Sequence, residues 1–205
     1  METIQGAVDK PCCLDSPKAK ALDAALKVHR GRAILNSITL EANSYETTLA
    51  LVKKYNTRIV ALCLDDQGMP HSAEDRFRLA STLIERLKGA GVAAEDIFVD
   101  PLVQPVSTDP CFGAITLEAM EKIKKTFPEV HLICGLSNVS FGLPQRKLLN
   151  QVFMVLALGK GLDAAIIDPN DPRMISCLKA AQTLLGQDPY CGGYLKAFRQ
   201  NLLVA

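Results

Sequence analysis

Six short apolar runs recur along the chain, and each is followed by a polar residue that opens a loop. The runs cover 12–14, 33–35, 59–62, 97–99, 132–134 and 164–167. After them stand Asp15 and Ser16, Asn36 and Ser37, Asp65 and Asp66, Asp100 and Pro101, Ser137 and Asn138, and Asp168 and Pro169. Runs that are apolar throughout suit strands buried on both faces of a parallel sheet. Between them lie amphipathic stretches with helical spacing, over 18–28, 45–55, 73–90, 116–127, 147–158 and 171–185. Strand–helix alternation of this kind predicts an α/β protein with right-handed crossovers.

Positions 15, 36, 65, 100, 138 and 168 are separated by 21, 29, 35, 38 and 30 residues, the length of a βα unit. In a (β/α)8 barrel such positions converge on one mouth, where the active sites of that fold are built. Any one Asp or Asn after a strand also serves as a turn former or helix N-cap. Six in register ask for more, because capping does not require a polar group at every strand end. A ring of acceptors with few cations nearby suits a neutral ligand rich in N–H donors.

The unit count sets a further expectation. A barrel of this type closes with eight strands in about 250 residues, whereas six units fit into 205 residues. At about 31 residues a unit, two more would need about 60 residues upstream. The chain therefore reads as one domain over 1–205, a (β/α)8 barrel lacking its first two units. Its sheet would then keep two open edges and expose apolar barrel surface.

Composition narrows the function classes. Lys plus Arg is 23 against 22 for Asp plus Glu, so the net charge of +1 offers no electrostatic footprint for nucleic acid or a membrane surface. The longest clearly apolar run, 152–159, is far shorter than the roughly 18 residues a membrane helix needs. The start METIQGAVDK lacks the basic and apolar pattern of a signal peptide. Seven cysteines, at 12, 13, 63, 111, 134, 177 and 191, fit reduced thiols in a cytoplasmic protein.

Several familiar motifs fail on context. Gly159, Gly161 and Ala164 match a dinucleotide fingerprint in spacing but precede an apolar run, where the fingerprint must follow a strand. Cys12, Cys13 and Cys191 lack zinc-ligand spacing and have no His close in sequence, so no bound metal is expected. His29, His71 and His131 are scattered, and neither a nucleophile elbow nor a phosphate loop is present. The most distinctive segment runs from Gly135 to Arg146. Its two glycines, proline and small polar residues describe a loop that lets backbone approach a ligand. Asn138 can donate and accept, which suits a ligand atom whose protonation changes during reaction. Arg146 offers a cationic fork beside the same loop or a cap for it.

Four of these segments together carry a family resemblance. Leu14-Asp15-Ser16-Pro17, Asn36-Ser37, Val99-Asp100-Pro101-Leu102 and the Gly-Leu-Ser-Asn-Val-Ser stretch from Gly135 to Ser140 resemble the pterin-binding methyltransferases. These are the methyltetrahydrofolate:corrinoid methyltransferases, with relatives in the folate-binding module of cobalamin-dependent methionine synthase and, more distantly, dihydropteroate synthase. The resemblance runs from Val8 to about Leu202.

It implies a TIM barrel that passes the N5-methyl of methyltetrahydrofolate to the cobalt of a corrinoid protein partner, in the cytoplasm and as a homodimer. Asp15, Asn36 and Asp100 match the positions that bind the pterin, while Gly135 and Ser137 match its wall. Arg146 lies at the same site, and Asp65 and Asp168 are further candidates. Asn138 matches the catalytic position, where it stabilises protonated N5 without itself supplying the proton. Two departures stand out. Phe141 replaces a polar ligand-touching residue of some members, and the Glu-Arg-Ile-Asn-like and Asp-x-Asn segments that open the family's barrel are not in this chain. Dihydropteroate synthase is the weaker alternative, because it usually carries Ser-Arg-Lys chemistry where this chain has Ser137-Asn138-Val139. A noncatalytic pterin-binding fragment is the alternative from another class.

Overall fold

Five of the six apolar runs form strands of one parallel sheet. The computed structural model describes residues 2–204. The strands are β1 (Cys13–Asp15), β2 (Ile34–Ile38), β3 (Arg58–Leu62), β4 (Ile97–Asp100) and β5 (His131–Leu132), and they lie side by side in chain order. Leu14 pairs with Leu35, Leu35 with Ile59, Ile59 with Ile97, and Val99 with Leu132. These side chains lie at the centre of a continuous apolar core.

The helices are α1 (Glu2–Ala7), α2 (Ala19–Val28), α3 (Tyr45–Tyr55), α4 (Ala73–Gly89), α5 (Phe112–Thr126), α6 (Arg146–Leu158), α7 (Pro172–Leu184) and α8 (Gly192–Arg199). Helix α4 starts on a capping box: the Ser72 hydroxyl accepts the Asp75 N–H at 3.0 Å, and the Asp75 carboxylate accepts the Ser72 N–H at 3.2 Å. Helix α7 starts on Asp171, which accepts the N–H groups of Arg173 and Met174, with Pro172 in the first helical position.

Three local differences separate the sequence pattern from the fold. The run at 164–167 does not extend into a strand. It follows β5 through the N–H of Ala164 on the Leu132 carbonyl and that of Ile166 on the Cys134 carbonyl, but forms one isolated parallel bridge, Gly135 with Ile166. It sits at the sheet edge with Ile166 half exposed. Strand β2 runs past Asn36 to Ile38, because Ser37 is an extra residue in its pairing with β3. Helix α8 begins at a pair of glycines. Its cap is Asp188, whose carboxylate accepts the N–H groups of Gly193 and Tyr194, each at 2.8 Å.

Candidate functional site

Asp15 and Asp100 are the last residues of β1 and β4, and Asn36 lies in β2 beside Asp15. Parallel pairing therefore sets these polar groups along one end of the sheet. The Asn36 amide donates to the Asp15 carboxylate at 3.4 Å. The two side chains line a cleft of about 410 Å³ with Ser37, Thr39, Glu41 and Thr48. The Thr39 hydroxyl donates to Glu41 at 2.8 Å and lies 3.0 Å from the Ser44 hydroxyl, so this wall carries its own polar network. Thr39 and Glu41 escaped the sequence reading because the bulge at Ser37 carries β2 beyond its expected end.

Asp100 has a different environment. The N–H of Leu102 donates to its carboxylate at 2.8 Å, and the N–H of Gly135 is a second donor. Burial nevertheless outweighs both and pushes its carboxyl up to about 6. Fully buried Cys63 and Cys134 flank it, following β3 and β5. Burial first, and then the negative charge of Asp100, push both thiols upward, so they remain protonated and unreactive as nucleophiles.

The third part is a 3-10 turn over Leu136–Ser140 after β5. The Asn138 side chain is exposed, with its amide nitrogen 3.5 Å from where a β-carbon on Gly135 would stand. Arg146, at the start of α6, donates to the Ser137 carbonyl at 2.7 Å and the Ser140 hydroxyl at 3.1 Å. Much of its fork is thus spent on the loop itself. Two further bonds tie this turn to the segment after β4: the Val106 N–H on the Val139 carbonyl at 3.0 Å, and the Ser107 hydroxyl on the Phe141 carbonyl at 2.6 Å.

Ser137, Arg146 and Asp168 line a second cleft, of about 370 Å³, with Asn150 and Asp171. Asp168 is engaged locally by the Asn170 N–H at 2.9 Å. Asp65 is engaged in the same way by the Gln67 N–H at 2.9 Å, with Arg78 3.8 Å away. The strand ends thus bring Asp15 to Asn36, and Asp100 to Gly135, whose α-carbon lies beside the Asn138 amide. They set Ser137, Arg146 and Asp168 along a separate wall and leave Asp65 in its own turn. Among the described residues no group of three His, Cys, Asp or Glu side chains is placed to hold a metal ion, and no helix is long and apolar enough to cross a membrane.

The family model described as pterin binding enzyme matches residues 1–168. The chain is 35% identical over 203 residues to the methylcorrinoid:tetrahydrofolate methyltransferase of Eubacterium limosum, covering 98% of this chain and 75% of that protein. It is 34% identical over 169 residues to the methionine synthase of Mycobacterium tuberculosis, covering 77% of this chain and 14% of that much longer one. Among solved structures, the dihydropteroate synthase of Yersinia pestis superposes with a TM-score of 0.70 at 16% identity, over 90% of this chain and 76% of the other. At that identity the likeness concerns the fold, and it makes the sheet and its helices part of a TIM barrel.

Proposed function

The chain belongs to the pterin-binding enzymes, and from that membership we propose that it is a methyltransferase moving a methyl group between N5 of tetrahydrofolate and the cobalt of a corrinoid protein. The observation that carries this reading is the similarity along nearly the whole chain to a relative named for that chemistry. The relative's name writes the transfer from methylcorrinoid to tetrahydrofolate, the reverse of the direction the sequence resemblance implies. One site serves both, since each direction passes through the same transition state.

The residues on the sheet end suit a reduced pterin. Ionised carboxylates accept and do not donate, so Asp15 and Asp100 fit its 2-amino and ring N–H groups, while the Asn36 amide fits a mixed donor–acceptor pair. The chemical difficulty lies at N5. As the N5–carbon bond breaks, its electron pair stays on nitrogen, which leaves well only when it carries a proton. Asn138 is the group for that position: its amide oxygen accepts from protonated N5 and its nitrogen donates to the free amine, so rotation follows the change in charge. The exposed position of Asn138 leaves room for a corrinoid partner to approach.

We also assign this protein a homodimeric state and a reducing, cytoplasmic setting. The outer face of α6 supports the first, with Leu148, Leu149, Val152, Val155 and Leu156 exposed while Phe153, Met154 and Ala157 on its inner face are buried. From Leu148 to Leu158 the helix carries no charge and presents apolar side chains on both faces, a pattern that belongs in an interior. A patch without charge, paired about a two-fold axis, covers itself with a second copy. An odd set of seven cysteines, with Cys63 and Cys134 buried in the core, supports the second.

The test is to mix the purified chain with tetrahydrofolate and a methylated corrinoid protein, and in the reverse sense with methyltetrahydrofolate and the reduced corrinoid protein, following the corrinoid absorbance. Transfer in either sense above the enzyme-free rate is expected. Binding of tetrahydrofolate without transfer would make the chain a noncatalytic pterin-binding protein. Absence of binding would remove the pterin reading.

A further inference from the structure

We propose that Arg76 is a positioning residue for the pterin site, clamping the segment after β4 so that Leu102 holds its N–H on the Asp100 carboxylate. The proposal rests on the pterin-binding role assigned to Asp100. Arg76 lies in the first turn of α4 with 0% of its surface exposed. It has no carboxylate partner among the ion pairs of the described residues. Its guanidinium instead donates to the carbonyls of Pro101 at 2.9 Å and Leu102 at 3.4 Å, to the Gln104 side-chain oxygen at 2.5 Å, and to the Ser72 carbonyl at 3.2 Å. Three of these four acceptors belong to one short segment.

A buried guanidinium is costly unless hydrogen-bonded, and filling the same space with a Met or Leu would avoid the cost. What the guanidinium provides, and an apolar residue would not, is a fork that fixes several carbonyls at once. The segment it fixes needs fixing. Leu102 has φ of +63°, a left-handed conformation that leucine rarely adopts. Its peptide groups are held on both sides, by its own N–H on Asp100 and by its own carbonyl on Arg76. Gln104, itself buried, carries the clamp one step further toward Met69 through its amide, 3.5 Å from the sulfur. Such a conformation persists when its surroundings over-determine it. The result is a carboxylate whose orientation at the sheet end is set before any ligand arrives.

The test uses the full chain labelled with 15N-leucine, and tetrahydrofolate as the probe. In the wild-type protein the Leu102 amide resonance should move on Asp100→Asn. A resonance that ignores Asp100→Asn overturns the clamp without any change at Arg76. Arg76→Lys keeps the charge and loses the fork. It should shift the Leu102 amide and weaken tetrahydrofolate binding by about tenfold, the scale of one hydrogen bond. Adding Leu102→Gly to Arg76→Lys should recover most of that loss, because glycine takes positive φ without steric strain. Wild-type binding and a wild-type Leu102 resonance in Arg76→Lys, or no recovery in the double variant, would sink the proposal. If Arg76→Lys does not fold, the double variant decides: refolding with tetrahydrofolate affinity supports the clamp, and failure to refold overturns it. A wild-type chain that binds no tetrahydrofolate removes the pterin reading alone, since the Leu102 resonance still reports on the clamp.

Discussion

Asp100 and Asn138 carry opposite demands at the residue scale. Burial holds the Asp100 carboxyl at about 6, above the ordinary carboxylate range, with Cys63 and Cys134 as its neighbours of note. The folded state therefore binds the proton more tightly than the unfolded chain, and stability falls as pH rises from about 4 through 6. Asp100→Asn should remove that slope, making the variant more stable than the wild type above pH 6 in urea titrations while it loses pterin affinity. A wild-type slope in the variant would place the titration elsewhere. Asn138→Ala should leave tetrahydrofolate binding within about threefold and cut the transfer rate about a hundredfold, the range for a lost transition-state hydrogen bond. Equal losses in single-turnover and binding measurements would deny Asn138 a role in the transition state. The polar strand ends were legible in the sequence because a carboxylate closing an apolar run is conspicuous. What each carboxylate does was not legible: Asp65 and Asp168 also follow apolar runs, as Asp15 does, yet neither ends a strand, and both accept the N–H two residues on. Arg76 was hidden for a related reason, since its partners are carbonyls of a segment about 25 residues away.

Among the elements, the long helices were the easiest to read, because their starts carry local signals. Ser72 with Asp75 before α4 is such a signal. Ser72→Ala should cost about 1 kcal/mol of unfolding free energy, measured by urea denaturation. A change below a few tenths would mean that packing alone holds the first turn. Elements whose boundaries depend on distant partners were misread or missed. The run at 164–167 has strand composition but meets only Cys134, Gly135 and Leu132 from one side. Helix α8 is capped by an acid several residues before its first turn, outside the usual capping spacing. The turn over Leu136–Ser140 hangs on Arg146, and Arg146→Ala should raise amide exchange there while α6 stays protected.

For the whole molecule, the open outer face of α6 is the feature that bears on assembly. Val152 is 51% exposed in the middle of that stripe. Val152→Lys should turn a dimer into a monomer in sedimentation velocity with little loss of monomer stability, because the residue faces away from the core. A monomeric wild type would remove the dimer from the description. Neighbouring strands in the sheet are also neighbours in sequence, without exception from β1 to β5. Each strand from β2 to β5 emerging from a ribosome therefore finds its partner already made, one helix behind it. Growth of the sheet is directional, so a chain stalled after any strand carries a fresh unpaired edge on its newest strand as well as the one on β1, and such edges invite pairing with another chain until the next strand covers them.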